Sequence, residues 1–154
     1  MQMHAGLNVS LMQHSAMHGT PDAVFPNNWF STHDASEPRG NKRKEHPTWV
    51  LYPMKCPNRA AERRPELVEF LRARAQTDVE GKLVDMTQLE KEGKYFEGTG
   101  VLVIDRVNGV AYVSISDRAD IDAAEQCALP FSIAFLNCFE LFKRAEFLGA
   151  AICV

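Results

Sequence analysis

Two short turns carry the residues best suited to chemistry in this sequence. The first lies in Thr20-Pro-Asp-Ala-Val-Phe-Pro-Asn-Asn-Trp-Phe-Ser-Thr-His33. It sets an acid, Asp22, and two amides, Asn27 and Asn28, around the apolar run Ala23-Val24-Phe25, which Pro26 breaks. A strand ending in this way projects several polar side chains into one small site. The second is Phe96-Glu-Gly-Thr-Gly100, where a lone carboxylate, Glu97, sits on a glycine-rich turn ahead of a β-forming run. Two acidic turns at strand ends predict a pocket for a polar small molecule. Taken singly, each residue also has an ordinary reading: Asp22 as a turn acid, Asn27 and Asn28 as loop caps, and Glu97 as a solvated turn residue.

The elements that must position these turns follow from pattern. Residues 1–19 are rich in Met and His without periodicity and read as a loose arm, and residues 22–31 read as a strand. His33 to Pro47, rich in Gly, Pro and charge, reads as a solvated loop. Its Asn41-Lys-Arg-Lys44 cluster has the make-up of a basic address or a phosphate patch, but Glu37 and Glu45 nearby favour a plain charged loop. Thr48 to Tyr52 is the returning strand, which makes the loop a long hairpin insertion. A helix follows, with Pro65 early, where its missing N–H costs nothing. Leu67, Phe70 and Leu71 then share one helical face.

Further along, Lys82 to Asp85 reads as a strand. Thr87-Gln-Leu-Glu90 has the form of a capping box that opens a short helix, and Gly93 can end it. Val101 to Ile104 and Val110 to Ile115 read as a hairpin turned at Asn108-Gly109. Asp117 to Ala128 reads as a helix that Pro130 interrupts. The order predicts an α/β fold of repeated ββαβ-like modules rather than a Rossmann alternation. Residues 121–154 are expected to form a divergent apolar tail, since Phe131 to Leu148 give no clean amphipathic stripe.

Composition excludes whole classes of function. The 154 residues suit one domain, and 45% hydrophobic with 24% charged residues is the balance of a soluble globular protein. A net charge of −3 gives no electrostatic case for nucleic acid or an anionic membrane. Cys56, Cys127, Cys138 and Cys153 show neither CxxC pairing nor zinc spacing, which predicts reduced thiols and a cytoplasmic setting. The first basic residue is Arg39, so no signal or transit pattern is read. The most apolar run, Cys127 to Phe139, is shorter than the roughly 20 residues of a bilayer span. His14 and His18 stand one helical turn apart without a carboxylate or thiol near them, so no metal site is expected, and no cofactor.

At this point the sequence resembles a known family. The Thr20–His33 stretch, Val50-Leu-Tyr-Pro-Met54, Asn58 to Pro65, Glu97-Gly-Thr-Gly100 and Val113-Ser-Ile-Ser-Asp-Arg118 are similar to the arginine deiminase-related, amidinotransferase-like proteins. The nearest branch is the citrulline-hydrolase-like one, a relative of dimethylarginine dimethylaminohydrolase. The resemblance covers roughly residues 20–120, taken as a partial domain, in the order and spacing of those segments. It implies a partial five-bladed α/β propeller (pentein) with about two ββαβ modules represented.

The chemistry so implied is hydrolysis or transfer at a guanidino or ureido carbon, with a small amino acid such as citrulline or an arginine derivative as substrate. A thiolate attacks the carbon, a histidine protonates the leaving amine, and an acid orients the histidine. By the resemblance, Asp22 is the amidine-binding acid, Asn27 and Asn28 stand where relatives carry a Glu-Asp pair, and Glu97 is the catalytic acid that orients the histidine. Arg64 and Arg118 match arginines that grip the substrate carboxylate, with Arg63 a competitor for the first role. A guanidinium gains from several carboxylates, whereas a neutral ureido group needs donors as well, which the two asparagines supply. The substrate is therefore expected to be ureido.

The family's histidine and nucleophilic cysteine belong to later blades. No histidine follows His46 in this sequence. Cys153 lies near the end, as the family's nucleophile does, but without the blades that should precede it. Cys127 and Cys138, in apolar surroundings, read as inert buried thiols. The chain is thus expected to be a truncated member, inactive alone. The rival expectation is a non-catalytic remnant that binds a small amino acid or pairs with a full-length relative.

Overall fold

The computed structural model describes residues 10–24, 26–33, 47–76, 81–107, 110–131 and 134–137. Strand β1, Phe30–His33, pairs antiparallel with β2, Thr48–Leu51, in the register Phe30 to Leu51 and His33 to Thr48. A short helix α1, Pro57–Ala60, and a longer one, α2, Pro65–Gln76, then carry the chain to β3, Lys82–Asp85. Strand β3 lies parallel to β2, with Val50 opposite Val84. The plan then repeats. Strand β4, Leu102–Asp105, pairs antiparallel with β5, Val110–Val113, and helix α3, Ile121–Phe131, leads to β6, Ala134–Asn137, parallel to β5. Each sheet has its second strand in the centre, so the described chain holds two ββαβ modules of one topology.

Strand alternation divides the core. Val50 and Tyr52 point into a cluster with Phe96, Leu102, Ala111, Val113, Ala123, Ala124 and Cys127, so residues of both modules bury one another. Leu51, on the opposite face, packs with Trp29, Met54 and Leu71, against which Leu67 and Phe70 of α2 lie as their spacing predicts. Each large apolar side chain so buried is worth about 1.5–3 kcal/mol. A polar thread also crosses between the modules. Arg106 after β4 donates from Nη1 to His33 Nδ1 at 3.2 Å, and His33 Nε2 lies 2.7 Å from Ser31 Oγ, which meets Tyr52 OH at 2.7 Å.

Several expectations are corrected. The strand predicted over 22–31 begins only at Phe30: Asp22 lies in a turn, and Pro26–Asn28 form a single 3-10 turn. Pro26 has no N–H to give to a ladder and asparagine favours turns, so the local chemistry of this stretch overrides its apolar content. Thr87 does not cap a helix. Its N–H and hydroxyl both donate to Asp85 Oδ1, at 3.0 and 2.7 Å, and the following 3-10 turn Thr87–Glu92 ends at Gly93 with φ of 70°. Helix α3 starts later than predicted, at Ile121, because Asp120 accepts the Ala123 N–H at 3.0 Å. It also runs through Pro130, whose missing donor falls in the last turn.

The expected tail supplies β6, the third strand of the second sheet. In the expected arm, Gln13 and His18 contact Arg64. Arg64 Nη2 donates to the Gln13 carbonyl at 2.9 Å, and the His14 and His18 rings meet at a tilt of 46° with centroids 4.6 Å apart. No group of three or more metal-ligating side chains occurs among the described residues. Nor is any described helix long and apolar enough to cross a membrane. The Asn41–Lys44 cluster, the Asn108-Gly109 turn, Cys138 and Cys153 lie outside the described residues. Cys127 is buried, as expected, and Cys56 is exposed.

Candidate functional site

The two turns singled out by residue type meet in space. The 3-10 turn Gly98–Gly100 lies against the turn of Asn27 and Asn28, with Gly98 held at φ of 38°. A Cβ on Gly98 would come within 2.7 Å of the Asn28 carbonyl oxygen, 2.9 Å of that of Asn27 and 2.9 Å of the Tyr52 ring. Only glycine permits this approach. Thr99 then locks the contact: its hydroxyl accepts from Asn27 Nδ2 at 2.6 Å and donates to the Asn27 carbonyl at 3.2 Å. Asn27 Nδ2 also lies 3.2 Å from Asn28 Oδ1. Beside Gly100, the Asn28 amide and the Arg118 guanidinium both border the space a Cβ would fill, at 3.0 and 3.1 Å.

Glu97 sits beneath this contact and is only 1% exposed, which excludes the solvated-turn reading. Its Oε1 accepts the Lys55 N–H at 3.1 Å, and its Oε2 accepts from Arg118 Nε at 2.7 Å and from Nη2. The carboxylate holds the Arg118 guanidinium further above its ordinary range. Lys55 in turn forms an ion pair with Asp117, and that hydrogen bond pushes Lys55 up and Asp117 down. Asn27, Asn28, Glu97 and Arg118 therefore form one contiguous polar group at the junction of the modules.

Asp22 and Arg64 contact other neighbours. Asp22, whose side chain is 56% exposed, has Oδ2 3.5 Å from Arg59 Nη1, which is equally far from the Asp22 carbonyl. Arg64 spends its guanidinium on Gln13, Glu66 and His18. Its competitor Arg63 pairs with Glu90 at 2.5 Å and donates to the Tyr52 carbonyl at 3.1 Å.

Sequence reasoning missed three residues here. Thr99 was hidden in a glycine-rich turn in which only the carboxylate was singled out. Arg59 and Glu62 belong to the charge-rich Asn58–Pro65 stretch, whose i,i+3 spacing was legible although its burial was not. Arg59 Nε lies 3.2 Å from Glu62 Oε1, yet neither oxygen of this buried carboxylate receives an aligned hydrogen bond among the described residues.

Burial pushes the Glu62 carboxyl up. Arg59 opposes this, Asp22 adds to it, and Arg63 opposes it more weakly. A carboxyl raised in the folded state favours folding below its unfolded value, and that contribution is lost as pH rises through the folded value. The melting temperature of Glu62→Gln should therefore gain on the wild type as pH is raised from the acid range towards neutrality. A gap that stays constant across a pH series would show Glu62 to be fully compensated.

Two cavities among the described residues lie away from this group. One of about 650 Å³ is lined by Val84, Met86, Leu89 and Gln126 among others, and one of about 430 Å³ by Leu11, Trp29, Phe30 and Phe70 among others. None of the six residues named from sequence lines either.

The profile of a family described as N,N dimethylarginine dimethylhydrolase, eukaryotic, matches residues 2–136. Its members belong to the guanidine-modifying, pentein-type proteins. The chain belongs to this family. The match reaches beyond the motif-bearing stretch on both sides and takes in α3 and most of β6. Comparisons with curated proteins and with solved structures returned no match.

Proposed function

We propose that the chain contributes the substrate-binding half of a guanidino- or ureido-directed C–N hydrolase, its two modules being two blades of a five-bladed α/β propeller. In this reading Asp22, Asn27 and Asn28 hold the planar nitrogen group. Glu97 orients the catalytic histidine through Oε1, which keeps a further lone pair beside the Lys55 N–H it already accepts. Arg118 gives Glu97 one edge of its guanidinium and remains 44% exposed, so its outer edge serves the substrate carboxylate. Arg64, tied to the arm, is the weaker candidate for that task.

The observation that carries the reading is the interlocked contact of Asn27 and Asn28 with the Gly98–Gly100 turn, directly over buried Glu97. Two amides at that contact favour a neutral ureido group, such as that of citrulline, over a methylated arginine. The sequence holds no histidine beyond His46 to protonate a leaving amine. By itself, then, the chain binds such an amino acid without hydrolysing it.

Calorimetry with L-citrulline, L-arginine and L-ornithine tests the proposal. Citrulline should bind best, and Asp22→Ala should weaken it about tenfold, the worth of one charge-assisted hydrogen bond. Ammonia release from citrulline by the purified chain, abolished by Glu97→Ala, would overturn the expected inactivity. An Asp22→Ala variant that binds as the wild type does would remove Asp22 from the site.

A further inference from the structure

The six residues named from sequence leave out a buried charge pair. Arg59 extends from helix α1 and is only 14% exposed, although it is a long cation on a short surface helix. On one side its Nε meets Glu62, a carboxylate 1% exposed and without an aligned hydrogen-bond donor among the described residues. On the other, its Nη1 stands 3.5 Å from both the carboxylate and the carbonyl of Asp22. Swinging Arg59 away would leave buried Glu62 only the weaker attraction of Arg63, which is costly. The positive charge beside Asp22 is therefore fixed in place.

We propose that Arg59 is a specificity-determining residue: by standing against Asp22 it turns a site for a cation into a site for a neutral urea-like group. This rests on the reading of Asp22 as a ligand of the planar nitrogen group. A guanidinium carries only donors and a full charge, so on Asp22 it would meet the donors and charge of Arg59. A ureido group has N–H donors for Asp22 and a carbonyl that can accept from Arg59. The pairing of an acceptor with a donor at 3.5 Å matches that alternation. Asn27 and Asn28 act in the same sense, but Arg59 does so through charge, and its effect is separable from theirs.

The test is calorimetry of the full chain with L-citrulline and L-arginine. Arg59→Gln combined with Glu62→Gln replaces the buried pair by two neutral amides, so the fold is not left with an orphaned charge. Its affinity ratio should move towards arginine by about five-fold, the scale of a partly exposed ion pair. Arg59→Lys, which keeps the charge, should hold the wild-type ratio. A readout that spares Arg59 is Asp22→Asn, which leaves its charge uncompensated and should cost arginine more affinity than citrulline.

An unchanged ratio in the double variant, or equal losses for both ligands in Asp22→Asn, would overturn the inference while leaving Asp22 in the site. Should Asp22→Asn change neither affinity, or the wild type bind neither amino acid, the reading of Asp22 falls and Arg59 falls with it.

Discussion

Replacing Glu97 by alanine is expected to lower the unfolding free energy by about 2–3 kcal/mol, read as a fall in the urea midpoint at constant slope. Removing one partner of a buried pair commonly costs more. Here Arg118 is 44% exposed, so water recovers part of its solvation. The Lys55 N–H has no such outlet, because the buried Glu97 Oε1 is its acceptor. Glu97→Gln keeps an acceptor near that N–H and loses only the charge, so it should cost about half as much. Equal midpoints for wild type and both variants would mean that the carboxylate is solvated after all and that the site lacks its buried acid.

Gly98→Ala should be comparably severe, about 2–4 kcal/mol, for a different reason. Its methyl would meet two backbone carbonyl oxygens and an aromatic ring at under 3 Å, and none of these is the free end of a flexible side chain. A φ of 38° adds strain for any residue with a Cβ. Either the Asn27–Asn28 turn withdraws or the Gly98–Gly100 turn does, and the Asn27–Thr99 hydrogen bonds break with it. Gly100→Ala is the control. Its methyl would meet only the ends of Asn28 and Arg118, which can yield, so its cost should stay near 1 kcal/mol. A denaturation series that ranks the two glycines the other way would show that the turns do not interlock.

Much of the fold was legible because its signals are local. Pro65 and the Leu67-Phe70-Leu71 stripe place α2, and β3 falls on Lys82–Asp85 as its apolar pair predicts. The order of strands and helices follows, and with it the module. Missed features depend on partners distant in sequence. Ala134–Asn137 is a strand because β5 stands ready to pair with it, not because of any alternation read in isolation. Glu97 looks solvated beside Gly-Thr-Gly until Arg118 folds over it. The Pro26-Asn27-Asn28 turn was misread for the opposite reason, since apolar neighbours masked a strong local breaker.

The site was half legible in the same way. Residue type and order brought out Asn27, Asn28 and Glu97, and the family resemblance added Arg118; the fold gathers all four. The resemblance also brought out Arg64, which the fold spends on the arm. No pattern in the charged Asn58–Pro65 stretch distinguishes a buried Glu62 from a solvated one.

Val50 of β2 and Tyr52 just after it are buried in one cluster with Leu102, Ala111 and Val113 of the second module, so one face of the first sheet shares its interior with the second. That shared cluster couples the stability of the two modules. A lesion remote from the polar junction, such as a void left under β5, therefore loosens the asparagine turn as surely as a change beside it. Whatever precision the asparagine turn has is inherited from the far module as much as from its own.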